Sequence, residues 1–403
     1  MLDPTLLERS VFSELNHSRT AYTGKLSMKN VMILGISCLL LAILFSPTNS
    51  QDAAATGISR AFNPALSVNG LFAGMGSSTN QPLWNEIGLK TGLHYQEISL
   101  EMTSNVDVYL QSKVVFSTTE DEKVDVEEAY FTTLQMPIPV ILRGGKMLNT
   151  FGRHNLYHLH HFAFAEAPMI LNQVFGGDLC EVGLEASYLI PLNWYSDLTV
   201  GVLNGDNPYL FKSEKQGDLA YLFHLDNLWD VTEEISTRLG GSFLTGKKGL
   251  NNPSSFNEPV LLNIQNAFSQ TWGVDFYLKW KPLKYGRYRS LVLQGEYVHT
   301  NISLDGQATG QLHGFFIQAM RQFNLTWWIQ GRYEWFERSQ ELHNIFIEPY
   351  NLSYDRNQTL TGKRASVALA YVPTEFGAYR LQYNWTTLGE QTEHQIIFQI
   401  NIT

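Results

Sequence analysis

From residue 65 onward, apolar and polar residues alternate with a period of two. In WGVDFYLKW (272–280), Trp272, Val274, Phe276, Leu278 and Trp280 share one side, and Gly273, Asp275, Tyr277 and Lys279 share the other. In 325–335, Leu325, Trp327, Ile329, Gly331, Tyr333 and Trp335 stand against Thr326, Trp328, Gln330, Arg332 and Glu334. Segments 106–116, 379–385 and 396–402 behave alike. Successive side chains of a strand point to opposite faces, so the pattern predicts strands with one apolar and one polar face. Sixteen are expected, near 65–73, 93–103, 106–117, 123–134, 139–146, 180–190, 196–204, 216–225, 230–244, 268–281, 289–301, 309–321, 324–337, 361–372, 378–387 and 393–402. No helical period recurs between them. Many have about the 9–11 residues that cross a bilayer when tilted.

The joins carry a second signal. Long ones lie at 74–92, 147–179, 245–267 and 338–360, while 104–105, 135–139 and 372–378 are short. Joins from an odd to an even strand are mostly the longer, although 302–308 and 388–392 are modest. Short turns at one end and long loops at the other suit an outer-membrane barrel, and an even strand number puts both termini at the short-turn end. Trp272 and Trp280, like Trp327 and Trp335, sit near the ends of apolar faces, where aromatic girdles meet the lipid–water boundaries. A soluble sandwich also alternates, but does not require this loop asymmetry. The expected fold is therefore all-β, a transmembrane antiparallel barrel of about sixteen strands.

Composition sharpens the picture. Only 16% of residues are charged and 13% are aromatic, against a usual charged share of about 25%, which fits contact with lipid. A net charge of −10 argues against nucleic acid. Two cysteines, Cys38 and Cys180, exclude a disulfide framework and any Cys-based metal motif. The one long apolar run, 31–45, follows Met28-Lys29 and precedes SPTNSQDAAA. Basic, apolar and small-residue regions in that order read as an export signal, with cleavage after Ser50, and the run is short for the ~20 residues of a membrane anchor. The expected layout is an N-terminal extension and signal over 1–50, with Met28 as a candidate true start, a periplasmic lead-in over 51–64, and the barrel over 65–403.

VEEAY (126–130), LRGGK (142–146), FGRHN (151–155) with the His-rich run after it, VLNGDN (202–207) and NPALSVNGLFAG (63–74) resemble a Gram-negative outer-membrane porin-like family related to the phosphate-selective porins. The resemblance covers most of 60–403 and is strongest over 63–210. It implies a passive channel whose third outer loop folds inward, an assembly machinery that reads the C-terminal strand, and, as in many porins, a homotrimer. Two features depart from the pattern. The chain ends on Thr403, with Phe398 the nearest aromatic. Removing the four cations and three acids of the first 50 residues leaves 24 Lys and Arg against 35 Asp and Glu, which weakens a phosphate role.

The loop 147–179 is apolar, FAFAEAPMILNQVF included. An apolar loop needs somewhere to bury itself, and the lumen offers that place, so this loop is the expected constriction. It carries four of the chain's 11 histidines, His154, His158, His160 and His161. Neutral imidazole binds Zn²⁺, and Glu166 is near enough in sequence to join. The spacing matches no standard zinc motif, so the expectation is no cofactor, with weak Zn²⁺ binding as the metal reading. Arg143, Lys146 and Arg153 flank the loop base, and Glu127 and Glu128 lie on the neighbouring strand. If they all point inward they either face one another across a narrow pore or neutralise one another pairwise. Parity sets Arg143 inward and Val140 and Leu142 outward. It leaves Glu127 and Glu128 open, because the double Glu and Gly144-Gly145 both suggest bulges. The pore-constriction candidates are Glu127, Glu128, Arg143, Lys146, Arg153, His154 and His158. The lumen-wall candidates are Asp107, Lys113, Arg238, Asp275, Lys279, Arg332, Glu334 and Arg380, with Glu234 beside them.

The expected function is passive diffusion of small hydrophilic solutes across outer-membrane lipid. A metal-ion channel or receptor using the histidines is the alternative. A barrel-embedded hydrolase with His154 or His158 as base is a third reading. No G-x-S-x-G supports it, since GMGSS (74–78) fails the spacing.

Overall fold

A computed structural model of the chain describes residues 64–79, 82–84, 91–120, 123–211, 217–248, 267–304, 307–339 and 359–403. The export signal, most of the lead-in, and much of the long joins 74–92, 245–267 and 338–360 lie outside the described residues. The first eight strands are β1 (Ala65–Ser77), β2 (Gly92–Asn105), β3 (Leu110–Thr118), β4 (Val124–Thr133), β5 (Val140–Leu148), β6 (Cys180–Leu189), β7 (Tyr195–Leu203) and β8 (Ala220–Thr232). The rest are β9 (Ile235–Lys247), β10 (Ala267–Trp280), β11 (Ser290–Leu304), β12 (Gln307–Gln322), β13 (Trp327–Arg338), β14 (Leu360–Thr374), β15 (Gly377–Leu388) and β16 (Gln391–Ile402).

Each strand pairs with its sequence neighbours, and β16 pairs antiparallel with β1, closing one sixteen-stranded sheet. Closure matters because an open edge in hydrocarbon would leave backbone amides and carbonyls without partners. The longer joins of the barrel alternate with turns as tight as Glu375-Phe376. Among the described residues no helix is long and apolar enough to cross a membrane. The crossing elements are strands.

The alternation resolves into an outside and an inside. On β10, Val274 is 47% exposed whereas Asp275 beside it is 1% exposed. Tyr379, Leu381, Tyr383 and Trp385 of β15 face out, while Arg380, Gln382 and Asn384 are buried inside. Ring contacts run sideways across the outer face near both strand ends. Trp272 stacks on His299 at 5.2 Å, and His313 meets Trp335 at 5.2 Å. At the other end Trp327 lies 4.8 Å from Tyr371, which lies 6.2 Å from Tyr379. These are the two girdles.

Three details differ from the sequence expectation, and one that it left open is settled. Strand β3 starts at Leu110, because Asp107 takes the amides of Tyr109 and Leu110 at 2.7 and 2.8 Å and turns the chain there. Asp107 is thus a turn residue and not part of the lumen wall. Strands β8 and β9 are displaced toward the C-terminus. Glu234 falls in the turn between them and braces the next turn, accepting from Leu283 N at 2.9 Å. Lys146 pairs with Val182, which is exposed outside, so it has the outward parity, and its Nζ donates to Val126 O at 2.6 Å. The suspected bulge in β4 exists: the register slips opposite Val115/Phe116, Glu127 is the extra residue, and Glu128 faces the lumen beside Val115.

The outward face yields a first prediction. Val274→Lys places a charge on the apolar side of a mid-strand position and costs about 2–4 kcal/mol in lipid. Urea unfolding in bilayers reads this. A value near zero shows that this face does not meet hydrocarbon.

Candidate functional site: the lumen and the segment that crosses it

The segment joining β5 to β6 carries two 3₁₀ turns, His154–Leu156 and Leu159–His161, and one helix, α1 (Met169–Phe175). Its hydrogen bonds go to lumen-facing side chains around most of the barrel. Leaving β5, Leu148 N donates to Glu128 at 3.1 Å and Thr150 N to Glu185 at 3.0 Å. Gly152 N donates to Ser242 Oγ on β9 at 2.8 Å, and Arg153 N to Glu296 on β11 at 2.8 Å. Gly152 adopts φ +61°, and a Cβ there would sit 2.6 Å from the Glu296 carboxylate. Only glycine permits both the turn and the approach. The chain then reaches β3, where Lys113 Nζ lies 3.2 Å from His158 Nε2. His160 O accepts from Asn401 at 2.6 Å, Phe162 O from Arg380 at 2.8 Å, and Ala165 O from Gln96 at 3.0 Å.

The way back is held by charge. Arg364 pairs with the carboxylates of both Glu166 and Glu334, the latter at 2.8 Å, and also donates to Ala167 O at 2.9 Å. Arg332 pairs with Glu334 at 2.7 Å and donates to Glu166 O at 2.9 Å. Glu334 further accepts from Met169 N at 2.6 Å. Outward of this network the lumen is apolar. Phe151, Met169, Ile170, Leu171, Val174 and Phe175 pack with Leu222, Leu244, Val298, Ile302, Leu312, Phe316, Phe336, Leu360 and Leu388 of the wall. The segment's apolar composition, odd for a solvated loop, is explained by this second core inside the barrel.

The sequence candidates sort as follows. Glu128, Arg143, Lys113, Arg238, Asp275, Lys279, Arg332, Glu334 and Arg380 stand on inward-facing positions of the wall. Arg143 pairs with Glu185 at 2.6 Å and Arg238 pairs with Asp226, so these cations are neutralised by neighbouring strands. Arg153 stacks on Tyr277 at 4.0 Å. The five candidate metal ligands do not converge. His154 sits among Phe162 and Phe316, and Glu166 belongs to Arg364 and Asn384. His158, His160 and His161 do gather, ring centroids 4.1–5.7 Å apart. Among the described residues no three His, Cys, Asp or Glu side chains are placed to hold a metal ion. Sequence reasoning missed Glu185, Glu296 and Arg364, which hold the segment. Their inward parity marked them, but nothing in the chain says that an amide will arrive opposite.

No family model matches the chain. An uncharacterised protein of Aquifex aeolicus is 25% identical over 363 residues, 83% of this chain and 72% of that one. Among solved structures, the loop-deleted outer membrane protein OmpT of Vibrio cholerae has a TM-score of 0.55 at 8% identity, covering 84% of this chain and 99% of that one. OprB of Pseudomonas putida scores 0.55 at 8% identity, covering 88% and 97%. The anion-selective porin of Comamonas acidovorans scores 0.53 at 9% identity, covering 84% and 99%. The chain has the fold of the outer-membrane porins. At these identities the likeness speaks for the porin barrel and not for a solute, and nothing in it singles out the phosphate-selective group.

Two predictions test how the porin barrel holds its crossing segment. Removing Arg364 takes the ion pair from the buried Glu166 and leaves Glu334 only Arg332, so Arg364→Ala costs about 3–5 kcal/mol, read as a lower thermal midpoint in detergent. Burial, with Arg332 nearby, holds the His154 imidazole down at about 3. The unfolded imidazole protonates below its ordinary value of about 6.5 while the buried one stays neutral. The stability His154 contributes is therefore complete above that value and is lost as the pH falls from there toward 3. His154→Gln flattens the pH dependence of the midpoint over that window. An unchanged slope excludes this role.

Proposed function

We propose that the protein is an outer-membrane porin through which small hydrophilic solutes diffuse passively, with the loop 147–179 as its constriction. The observation that carries this reading is the pairing of an apolar outer face with a charged, ion-paired inner wall, crossed by one internally anchored segment. A water-filled passage needs a polar, charged wall, and this barrel supplies one. Support from relatives is at the level of fold: one neighbour is titled an anion-selective porin and another an outer membrane channel, DcaP of Acinetobacter baumannii. Transport of this kind consumes nothing, forms no bond and calls for no cofactor. A trimer is the proposed assembly, as one form of the OmpT neighbour is. The exposed Phe398 of the closing strand β16 is the residue proposed to engage the assembly machinery.

A metal-specific channel is the second reading, favoured by the gathered rings of His158, His160 and His161. Reconstitution into planar bilayers separates the two. The purified protein is expected to give ohmic channels that micromolar Zn²⁺ leaves unchanged. Block by Zn²⁺ that disappears in His158→Ala supports the second reading. Absence of channels overturns both.

A further inference from the structure

The turns of the short end, which faces the periplasm, differ around the ring. Those after β2, β4, β6, β8, β12 and β14 cover 106–109, 134–139, 190–194, 233–234, 323–326 and 375–376, and none holds a lysine or arginine. The turn after β10, 281–289, is the longest at this end and holds four, Lys281, Lys284, Arg287 and Arg289. Its backbone is pinned. Lys281 N donates to Glu234 O at 2.8 Å, and Leu283 N to the Glu234 carboxylate at 2.9 Å. Tyr288 N and Arg289 N both donate to Tyr285 O, and Gln322 Nε2 donates to Arg287 O at 3.0 Å. From this frame Lys284, Arg287 and Arg289 are exposed.

A further cation stands beside them on the lipid-facing side. Arg321 of β12 is exposed and shares the outward parity of Ile317, between Leu291 of β11 and Ile329 of β13. Arg289 lies two residues before Leu291, at the start of that strand. Among the described residues, none of Lys284, Arg287, Arg289 and Arg321 pairs with a carboxylate. Apolar and aromatic side chains surround these charges. Leu283, Tyr285 and Tyr288 of the turn are exposed, as are Phe323 and Leu325 of the next. Trp327, part of the girdle at this end, follows Leu325 by two residues. Tyr285 adopts φ +71°, a backbone that glycine takes more easily, yet the residue there is an exposed tyrosine.

Cations without a carboxylate partner, set among exposed tyrosines beside the aromatic girdle, stand where lipid headgroups lie. A charge on the outward face is costly in hydrocarbon and cheap at the boundary, where a phosphate can meet the Arg321 guanidinium. A dissolved anion would not call for the apolar neighbours. On the opposite arc, the turns after β2, β4 and β6 expose apolar residues with Asp107 as their one charge, so the cations belong to one side of the barrel. We infer that the turn 281–289 and Arg321 bind the phosphate groups of anionic phospholipids in the periplasmic leaflet, through Lys284, Arg287, Arg289 and Arg321. This rests on the outward face of the barrel and not on what crosses the lumen.

The test holds the purified protein in nanodiscs of phosphatidylcholine and phosphatidylglycerol, transfers it to detergent and counts the retained lipids by native mass spectrometry. Wild type is expected to retain phosphatidylglycerol in preference. The variant carrying Lys284→Gln, Arg287→Gln, Arg289→Gln and Arg321→Gln together is expected to retain about tenfold less of it. Lys363→Gln, which removes an exposed cation near the long-loop end of β14, is expected to change nothing. If the combined variant does not fold, Arg289→Gln with Arg321→Gln carries the test, with a smaller loss in the same direction. Retention without preference for phosphatidylglycerol, retention that survives the combined change, or an equal loss in Lys363→Gln overturns the inference. Cosedimentation with purified cell-wall polymer in place of any lipid preference also overturns it and assigns the cations to that polymer.

Discussion

A backbone amide in hydrocarbon finds no water, and it must find a carbonyl. For strands the only complete solution is a sheet closed upon itself, and the pairing of β16 with β1 supplies it. Everything else in the molecule follows from that closure combined with the two-residue period of a strand. Once the sheet is a cylinder, each strand has one face toward lipid and one toward the axis. Apolar side chains take the first face because a charge there is expensive. Polar side chains take the second by default. The interior then holds more polar groups than it can leave bare, and the segment between β5 and β6 resolves this by bringing its own amides and carbonyls to them.

That exchange explains why the lumen is acidic without being strongly charged toward a solute. Four carboxylates, Glu128, Glu185, Glu296 and Glu334, are occupied by main-chain N–H groups of the segment. A carboxylate that accepts backbone hydrogen bonds fixes the chain that donates them, as an N-cap fixes a helix. Counting charges along the sequence therefore overstates the field in the passage, because much of the negative charge serves to hold the segment in place.

The barrel was legible in the sequence to a degree that the lumen was not. Alternation is local: Trp272, Val274 and Phe276 declare their face whatever the rest of the chain does, so strand number, order and sidedness could be read directly. The misplaced details were those where a side chain overrides the pattern. Asp107 ends an alternating run by taking two amides, and Lys146 stands at an outward position beside the bulge of β4. Inside, the failure is of a different kind. Arg364 and Glu296 have plain inward parity, but their roles depend on where a segment 142–198 residues away in the chain arrives. The apolar character of 147–179 showed that it needs burial. Nothing in one sequence shows against which arc of the wall.

The same argument accounts for the histidines that first mark the segment. An imidazole among aromatic rings, as His154 is beside Phe162 and Phe316, behaves as a flat side chain that tolerates burial while neutral. His158 stands at the far end of the crossing, where Lys113, Glu101 and Glu128 already form a set of opposed charges. The cluster thus serves the crossing itself: it gives the segment polar contacts where it touches a charged wall.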